Sequence, residues 1–494
     1  MTNRLLRITE RDMVAVALEP LRAGETVPYG SGEITLLEDL PMGHKVALRN
    51  IAAGEPVIKY GYPIGQALAE IPAGAHVHTH NLKTLLSGEL EYTWTPTETP
   101  EKKLPPRTFL GYPRTDRRPG IRNELWILPT VGCVNDVAKT LAAMAQDLVG
   151  EGIDGVYAFP HPYGCSQLAL DQDNTRRALA DFATHPNAGG VLLLGLGCEN
   201  SGIAQIKPWM GNYDESRIRT LVCQDTEDEL TAGMTLIEEL AARMRGEKRV
   251  PCPVDQLVVG LKCGGSDGLS GITANPTIGV FSDLLTAMGG STILTEVPEM
   301  FGAETILMSR CGTKELFEKT VRLINDFKAY FESAHMPVYE NPSPGNKQGG
   351  ITTLEDKALG CTQKSGSSAV RGVLQYAEKA EEPGLNLLSA PGNDLVASTA
   401  LAASGAQVVL FSTGRGTPFG CPVPTIKIAS NTPLAQKKQR WIDFDAGRLL
   451  AGMSLEQLGA ELMDYVIEIA SGKEARNEEN GFREIAIFKQ GVTL

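Results

Sequence analysis

The chain has no Cys-x-x-Cys pair, no Gly-x-Gly-x-x-Gly fingerprint and no P-loop signature. Zinc ribbons, thioredoxin-like redox chemistry and nucleotide binding therefore lose their main sequence support. Aromatic residues make up only 6% of the chain, and no run approaches the roughly 18 apolar residues that a membrane span needs. The N-terminal "MTNRLLRITERDMVAVALE" meets charges before a signal-peptide core could form, so the expected location is the cytoplasm, with no membrane partner. There is no Lys/Arg run, and a net charge of −13 opposes phosphate backbones, which argues against nucleic acid as a partner. Nine cysteines, an odd number spread from Cys133 to Cys421, suit a reducing compartment better than a disulfide framework. Oligomeric state is not legible, and a homo-oligomer is left open.

At 494 residues the chain exceeds what one core usually organises. Residues 1–92 alternate short apolar stretches with turn residues and read as a small β module. "WTPTETPEKKLPP" marks a linker over 93–110, because its prolines exclude helix and central strand. From 111 to 250, buried strands alternate with amphipathic helices. "NELWILPTVGC" precedes a helix with Val137, Leu141, Met144 and Leu148 on one face, and "IDGVYAFPHPYGC", "GGVLLLGLGC" and "RIRTLVC" are the next strands. Thr226 and Glu229 form a capping-box pattern before the last helix of this part. After a proline-broken connector the same texture resumes over 255–494, interrupted by a long irregular stretch at 339–366. A connection that long usually serves a site. The expected fold class is thus α/β, with an N-terminal all-β domain followed by two parts built of Rossmann-like parallel βα units.

Histidine is rare, yet three of the seven occur in "HVHTHN", as His76, His78 and His80. On a strand, positions i, i+2 and i+4 project from one face, so the three imidazoles can grip a borderline divalent metal; the third can instead serve as acid or base. His44 and His161 are further candidates. The competing account is a solvated strand face. A second recurrence is cysteine at strand ends: Cys133, Cys165, Cys198, Cys223 and Cys263, four of them beside glycine. Each is individually a plausible core residue, but the four beside glycine, Cys133, Cys165, Cys198 and Cys263, form a runner-up set of thiolate ligands for iron or an iron–sulfur cluster, although the known cluster spacings are absent. "GGSDG", "PGND" and "STGRGTP" offer Ser266, Asp267, Asn393 and Arg415 to a polyhydroxylated acid, with Arg415 able to fork onto a carboxylate.

"GHKVAL", "IKYGYPIGQA", "HVHTHN", "RNELWILPTVGCVN", "YGCSQL", "GLGCEN", "GGSDGLSGITANP", "EVPEMFGAE", "ENPSPGNKQGGITTLEDKALGCTQKSG" and "STGRGTPFG" together resemble the altronate/galactarate dehydratase family, over the whole length of the chain. The resemblance implies a SAF-type β domain joined to a two-part catalytic region. It implies dehydration of a sugar acid, D-altronate before other aldonates, in hexuronate catabolism, with Fe²⁺ as cofactor and Mn²⁺ as its substitute. Galactarate dehydratases share the cysteine motifs but lack the histidine triplet, which shifts some weight from His76, His78 and His80 to Cys133, Cys165, Cys198 and Cys263. Removing the C2 proton of a sugar acid leaves charge that a cation must meet, and the departing C3 hydroxyl needs a proton or a Lewis acid. His161, Lys347 and Lys364 are the candidate bases; a lysine would have to be desolvated or set beside another cation. A non-catalytic sugar-acid-binding protein and an iron–sulfur dehydratase of the aconitase kind are the other readings.

Overall fold

A computed structural model describes residues 4–30, 32–99, 102–115 and 118–492. The first 85 residues form only short strands. Leu5–Leu6, Val14–Ala17, Lys45–Ala47 and His76–Val77 make an antiparallel sheet; Pro56–Lys59, Tyr62–Ala67 and Leu82–Lys83 make a second, and Thr26–Tyr29 pairs with Gly32–Thr35. Val14, Val57, Ile64 and Val77 fill the core of this module, which continues without a break into Ala303, Ala358 and Leu359 of the C-terminal part. The module is therefore docked on a helix, not tethered by a linker alone.

The middle part is a four-stranded parallel sheet in the order Gly155–Ala158, Glu124–Pro129, Ala188–Gly195, Ile218–Val222. Its strands are nearly continuous apolar runs because helices cover both faces. Asn135–Met144 and Glu229–Met244 pack one face, burying Leu141, Ile237 and Leu240. The second of these helices is capped by Asp228, whose carboxylate accepts from the N–H groups of Leu230 and Thr231. This corrects the capping-box reading: Thr226 turns its hydroxyl back to the Val222 carbonyl.

The C-terminal part is a seven-stranded parallel sheet. Its order is Val370–Leu374, Gly384–Leu388, Ser291–Leu294, Val258–Cys263, Val408–Thr413, Thr425–Ala429, Phe444–Asp445. The expected class, β module followed by parallel α/β parts, is what the chain adopts. Two stretches read differently. Thr108–Gly111 and Val250–Pro253, each within a proline-containing connector, pair antiparallel with one another; Pro251 and Pro253 are tolerated because a two-stranded ribbon has free edges. The stretch over 339–366 is helical, with Pro344–Gln348 and Leu354–Cys361. Its turn-like residues are caps. Ser343 accepts from the Asn346 N–H with Pro344 in the first turn, and Thr353 caps through the Asp356 N–H.

The two α/β parts share one core, from Trp126, Phe159 and Phe182 to Leu261, Ile293 and Leu410. Charges are buried across their junction. Arg483, from the C-terminal segment, pairs with Glu124 at 2.8 Å and Glu478 at 3.0 Å, and Arg122 pairs with Glu478 at 2.7 Å. Replacing Arg483 by Met leaves Glu124 buried without its ion pair, which costs about 3–5 kcal/mol. Arg219, paired with Glu239 near the surface, should cost under about 1 kcal/mol when replaced in the same way. Urea unfolding of the two variants measures the contrast.

His161 and His185 belong to this buried frame. His161 donates from Nε2 to the Pro129 carbonyl at 2.8 Å and accepts at Nδ1 from the Tyr163 N–H at 3.2 Å. With both nitrogens occupied it is a structural residue, which corrects the expectation of a base there. His185 is bound in the same pattern between the Ala406 carbonyl and the Asn187 N–H, and its ring stacks on Trp126. Burial lowers the pKa of His161 to about 4 and that of His185 to about 3. A folded-state pKa below the unfolded value means that the unfolded chain takes up protons first. Stability is therefore full above pH 6.5 and falls as acid is added. Each histidine should withdraw about 2 kcal/mol by pH 5, and denaturant titrations at pH 7, 6 and 5 should show the decline.

Candidate functional site at the sheet switch point

In the C-terminal sheet, Val258–Cys263 is flanked by Ser291–Leu294 on one side and Val408–Thr413 on the other, and the chain builds outward in opposite directions from this pair. The crevice beyond the carboxyl ends of two such strands is where open α/β sheets bind ligands. Gly264 donates to the Ser412 carbonyl and Gly414 to that of Gly265, so the two loops that bound the crevice are tied together. Three of the residues read as substrate-binding fall here. Ser266 is buried and its hydroxyl has no hydrogen-bond partner among the described residues; it lines a small crevice with Tyr60, Asn275, Lys357 and Cys361. Asp267 has a different task. Its carboxylate accepts from the Ser270 N–H and from the hydroxyls of Ser270 and Ser430, fixing the loop. Arg415 donates to the Gly345 carbonyl at 3.1 Å and to Gln348 Oε1 at 2.9 Å. Asn393 is exposed and spends its carbonyl capping the helix Asp394–Ala403, so the neighbour that reaches inward is Asp394, paired with Lys262 at 2.9 Å.

The helix Pro344–Gln348 links this crevice to the β module. His44 Nε2 donates to the Gln348 carbonyl at 3.1 Å, which leaves Nδ1 as the lone pair; that atom approaches His76 Nε2 to 2.9 Å. His78 meets the Thr352 hydroxyl through Nδ1 at 3.0 Å, leaving Nε2 open. Ligand nitrogens of His44, His76 and His78 lie within 4.8 Å of one another. The triplet "HVHTHN" is only partly a strand: after His76–Val77 the chain turns, because Asn81 accepts from the His78 N–H and donates to the His76 carbonyl. His80 consequently sits exposed at the rim, its ring 5.6 Å from that of His76, and the third member of the group is His44. Period-two spacing could not reveal this, since His44 arrives from an antiparallel neighbour.

Behind the histidines lies a buried ionic group. Lys45 donates to the Gly350 carbonyl and the Thr352 hydroxyl, each at 2.7 Å, and to Asp356 at 2.9 Å; Lys59 takes the other Asp356 oxygen at 2.9 Å. Two ammonium groups hold the Asp356 carboxyl well below its ordinary range against the cost of burial. Burial lowers Lys45 to about 8. Burial also lowers His76 to about 3 and His78 to about 4, with neighbouring imidazoles and Lys45 adding to the effect, so all three rings are neutral at physiological pH. Neutral imidazole with its second nitrogen tied to a carbonyl or hydroxyl is the donor arrangement that divalent metals require. Two nitrogens 2.9 Å apart also match neighbouring ligands about 2.1 Å from one ion. The residues fit a metal.

A second group does not. Cys263 and Cys361 place their sulfurs 3.3 Å apart, each 3.2 Å from Glu299 Oε2. Lys364 lies 2.8 Å from the Cys263 sulfur and 3.0 Å from Glu296, Lys357 lies 2.7 Å from Glu299, and Lys262 also pairs with Glu296. Three buried ammonium groups already balance the acids, which leaves no deficit for a cation to fill. The same surroundings raise Lys364 well above its usual value, through Cys263 and Glu296 against the opposing effect of burial. A lysine base needs the reverse, which corrects the reading of Lys364 as one. Lys347 remains: it is half-buried on the helix between Gly345 and Gln348, and among the described residues its ammonium makes no hydrogen bond or ion pair. Cys133, Cys165 and Cys198 are exposed in the middle part, and none shares a single-ion ligand group with Cys263. Nothing in the spacing of Cys361, Glu299 and Asp356 announces them; Asp356 and Cys361 are placed by the helix that Thr353 caps, within a stretch whose turn-like residues suggest a loop.

Three family models together cover most of the chain. Residues 3–85 match the altronate/galactarate dehydratase SAF domain, 111–245 the second domain of D-galactarate dehydratase/altronate hydrolase, and 254–493 the C-terminal domain of D-galactarate/altronate dehydratase. The chain is 54% identical to an altronate dehydratase of Escherichia coli (strain K12) over 492 residues, and 51% identical to one of Bacillus subtilis (strain 168) over 494 residues, with 99% of each chain covered in both cases. It is 33% identical to the L-threo-forming galactarate dehydratase of Escherichia coli (strain K12), over 95% of this chain and 93% of that one. Likeness that runs through the β module, the cysteine-bearing sheet and the switch-point sheet in one order makes this chain a member of the altronate/galactarate dehydratase family.

Proposed function

We propose that the protein is a hydro-lyase that converts D-altronate to 2-dehydro-3-deoxy-D-gluconate in hexuronate catabolism, in the crevice between the histidine group and the switch point. The observation that carries this reading is full-length identity above one half to two altronate dehydratases. The geometry suits it. Arg415 spends one nitrogen on Gly345 and Gln348 and keeps other N–H groups for a substrate carboxylate. The unpartnered Ser266 hydroxyl is available to a sugar hydroxyl. His44, His76 and His78 would hold Fe²⁺ or Mn²⁺, and the ion would supply Lewis acidity toward the oxygens of the acid.

Of the three candidate bases only Lys347 is not already bound elsewhere among the described residues, so its neutral amine form takes the C2 proton, and the C3 hydroxyl leaves with a proton from the imidazolium form of His80 at the rim. The resulting enol becomes the 2-keto acid by returning a proton to C3. Asp356, with Lys45 and Lys59, holds Thr352 and thereby the orientation of His78.

Assay with D-altronate and Fe²⁺ under anaerobic conditions should yield a 2-keto-3-deoxy acid, and galactarate should be turned over more slowly. His76→Ala and His78→Ala should lower kcat/KM roughly 10²–10³-fold or more. His80→Ala should keep bound metal, read by metal analysis, while losing kcat. Chelation should abolish turnover and Fe²⁺ or Mn²⁺ should restore it; metal-free protein that turns over at an undiminished rate overturns the reading.

A further inference from the structure

The reaction above makes no use of the middle sheet, yet the most unusual cysteines of the chain stand there. Three adjacent parallel strands, Gly155–Ala158, Glu124–Pro129 and Ala188–Gly195, each lead at the carboxyl end into a Gly-Cys pair: Gly164-Cys165, Gly132-Cys133 and Gly197-Cys198. All three thiols are exposed, whereas Cys252, Cys263, Cys311, Cys361 and Cys421 are buried. Cysteine used as filler lies inside. Three exposed thiols on one crest have no packing role.

The three loops are built as one unit. Gly132 donates to the Tyr163 carbonyl at 2.9 Å, and Ser201 to that of Gly164 at 2.9 Å. Asn200 Oδ1 accepts from the Ser166 N–H and from the Cys165 thiol, each at 3.2 Å. Glu199 reaches across to the Thr130 hydroxyl at 2.6 Å and back to the Gly197 N–H at 2.6 Å. Gly164 and Gly197 hold φ of +104° and +128°, and a Cβ at Gly164 would stand 2.0 Å from the Thr130 carbonyl. The glycines before the cysteines are thus required for the loops to close against one another. Cysteines 133, 165 and 198 are thereby fixed on neighbouring segments at one sheet edge.

The spacing narrows the ligand. Thiolates on one tetrahedral ion, about 2.3 Å from the metal, lie about 3.8 Å apart. These three sulfurs do not form a set within 4.8 Å of one another, so they are too widely set for one ion while their loops are in direct contact. Soft thiolates carried on three touching loops, but not gathered as a single-ion set, suit an iron–sulfur cluster. Cys223, after the fourth strand, is half-buried and its thiol is pushed up by burial, so it does not complete the set. Gln224 instead turns its amide toward the Cys198 sulfur at 3.6 Å, a donor of the kind that tunes cluster thiolates.

We infer that Cys133, Cys165 and Cys198 hold a four-iron, four-sulfide cluster through three thiolates, leaving one iron without a protein ligand and open to a small oxygen donor. Each thiol loses its proton on binding; two ferrous irons, two ferric irons and four sulfides are the other components, so assembly needs no net electron transfer. The site is separate from the histidine group and shares no residue with it.

The full-length protein, loaded anaerobically with equal ferrous and ferric iron and with sulfide, should carry roughly four irons and four acid-labile sulfides per chain at this centre, with broad visible absorption bleached by dithionite. Cys133→Ser, Cys165→Ser and Cys198→Ser should each lose most of the sulfide at unchanged far-UV circular dichroism. Cys223→Ser and His76→Ala should retain it. Should a serine variant fold poorly, thiol counting on the wild-type chain decides: loading should shield three thiols from a maleimide, and mass spectrometry should map them to Cys133, Cys165 and Cys198. Iron uptake without sulfide, zinc in place of iron, loss of sulfide in Cys223→Ser equal to that in the other three, or unshielded crest thiols would each overturn the inference. None of these readouts depends on turnover, so failure here leaves the dehydratase reading intact and the reverse also holds.

Discussion

Asp356 is the point on which the candidate site depends. Its carboxylate is buried between Lys45 and Lys59, which come from two strands of the β module, while Asp356 itself belongs to the helix Leu354–Cys361. Burying three charges is expensive, and the arrangement persists only because each has partners on every side. Lys45 is saturated by Gly350, Thr352 and Asp356. The module therefore cannot rotate on the helix without breaking several short contacts at once. That fixity decides where His44 and His78 stand, since one leans on Gln348 and the other on Thr352.

Electrostatics then divides the buried polar groups of the catalytic region by kind. Around the histidines the surroundings disfavour protonation, so lone pairs are presented. Around Cys263 and Cys361 the lysines and glutamates neutralise one another, and the group is a charge-balanced support beneath the crevice. The two sets are alike in that each brings together residues that ligate metals. They differ in what surrounds them, which no linear motif carries.

Much of the architecture was legible. Strand-then-helix texture and apolar runs specified two parallel sheets, since a strand covered on both faces has to be apolar throughout. Ser266 and Arg415 stand at the crevice as glycine-flanked polar groups at strand ends, whereas Asp267, read in the same way, fixes the loop instead. What escaped was set by tertiary partners: His44 entering beside His76 across an antiparallel pair, Asn81 ending the histidine strand after two residues, and the caps Ser343 and Thr353 that turn an apparent loop into helices. His161 misled for the opposite reason. A histidine among prolines beside a cysteine looks reactive, yet its two nitrogens serve the Pro129 carbonyl and the Tyr163 N–H.

The pairing of Thr108–Gly111 with Val250–Pro253 bears on how such a molecule is assembled. The chain departs for the middle sheet and comes back at the same place, with both crossings side by side in one ribbon. A unit whose entrance and exit coincide is joined covalently at one place, and what else holds it to the C-terminal sheet is the shared core and the buried Arg483–Glu124 and Arg122–Glu478 pairs. The cysteine-bearing sheet is thus, along the chain, an excursion between the β module and the sheet that houses the crevice, and the ribbon is its neck.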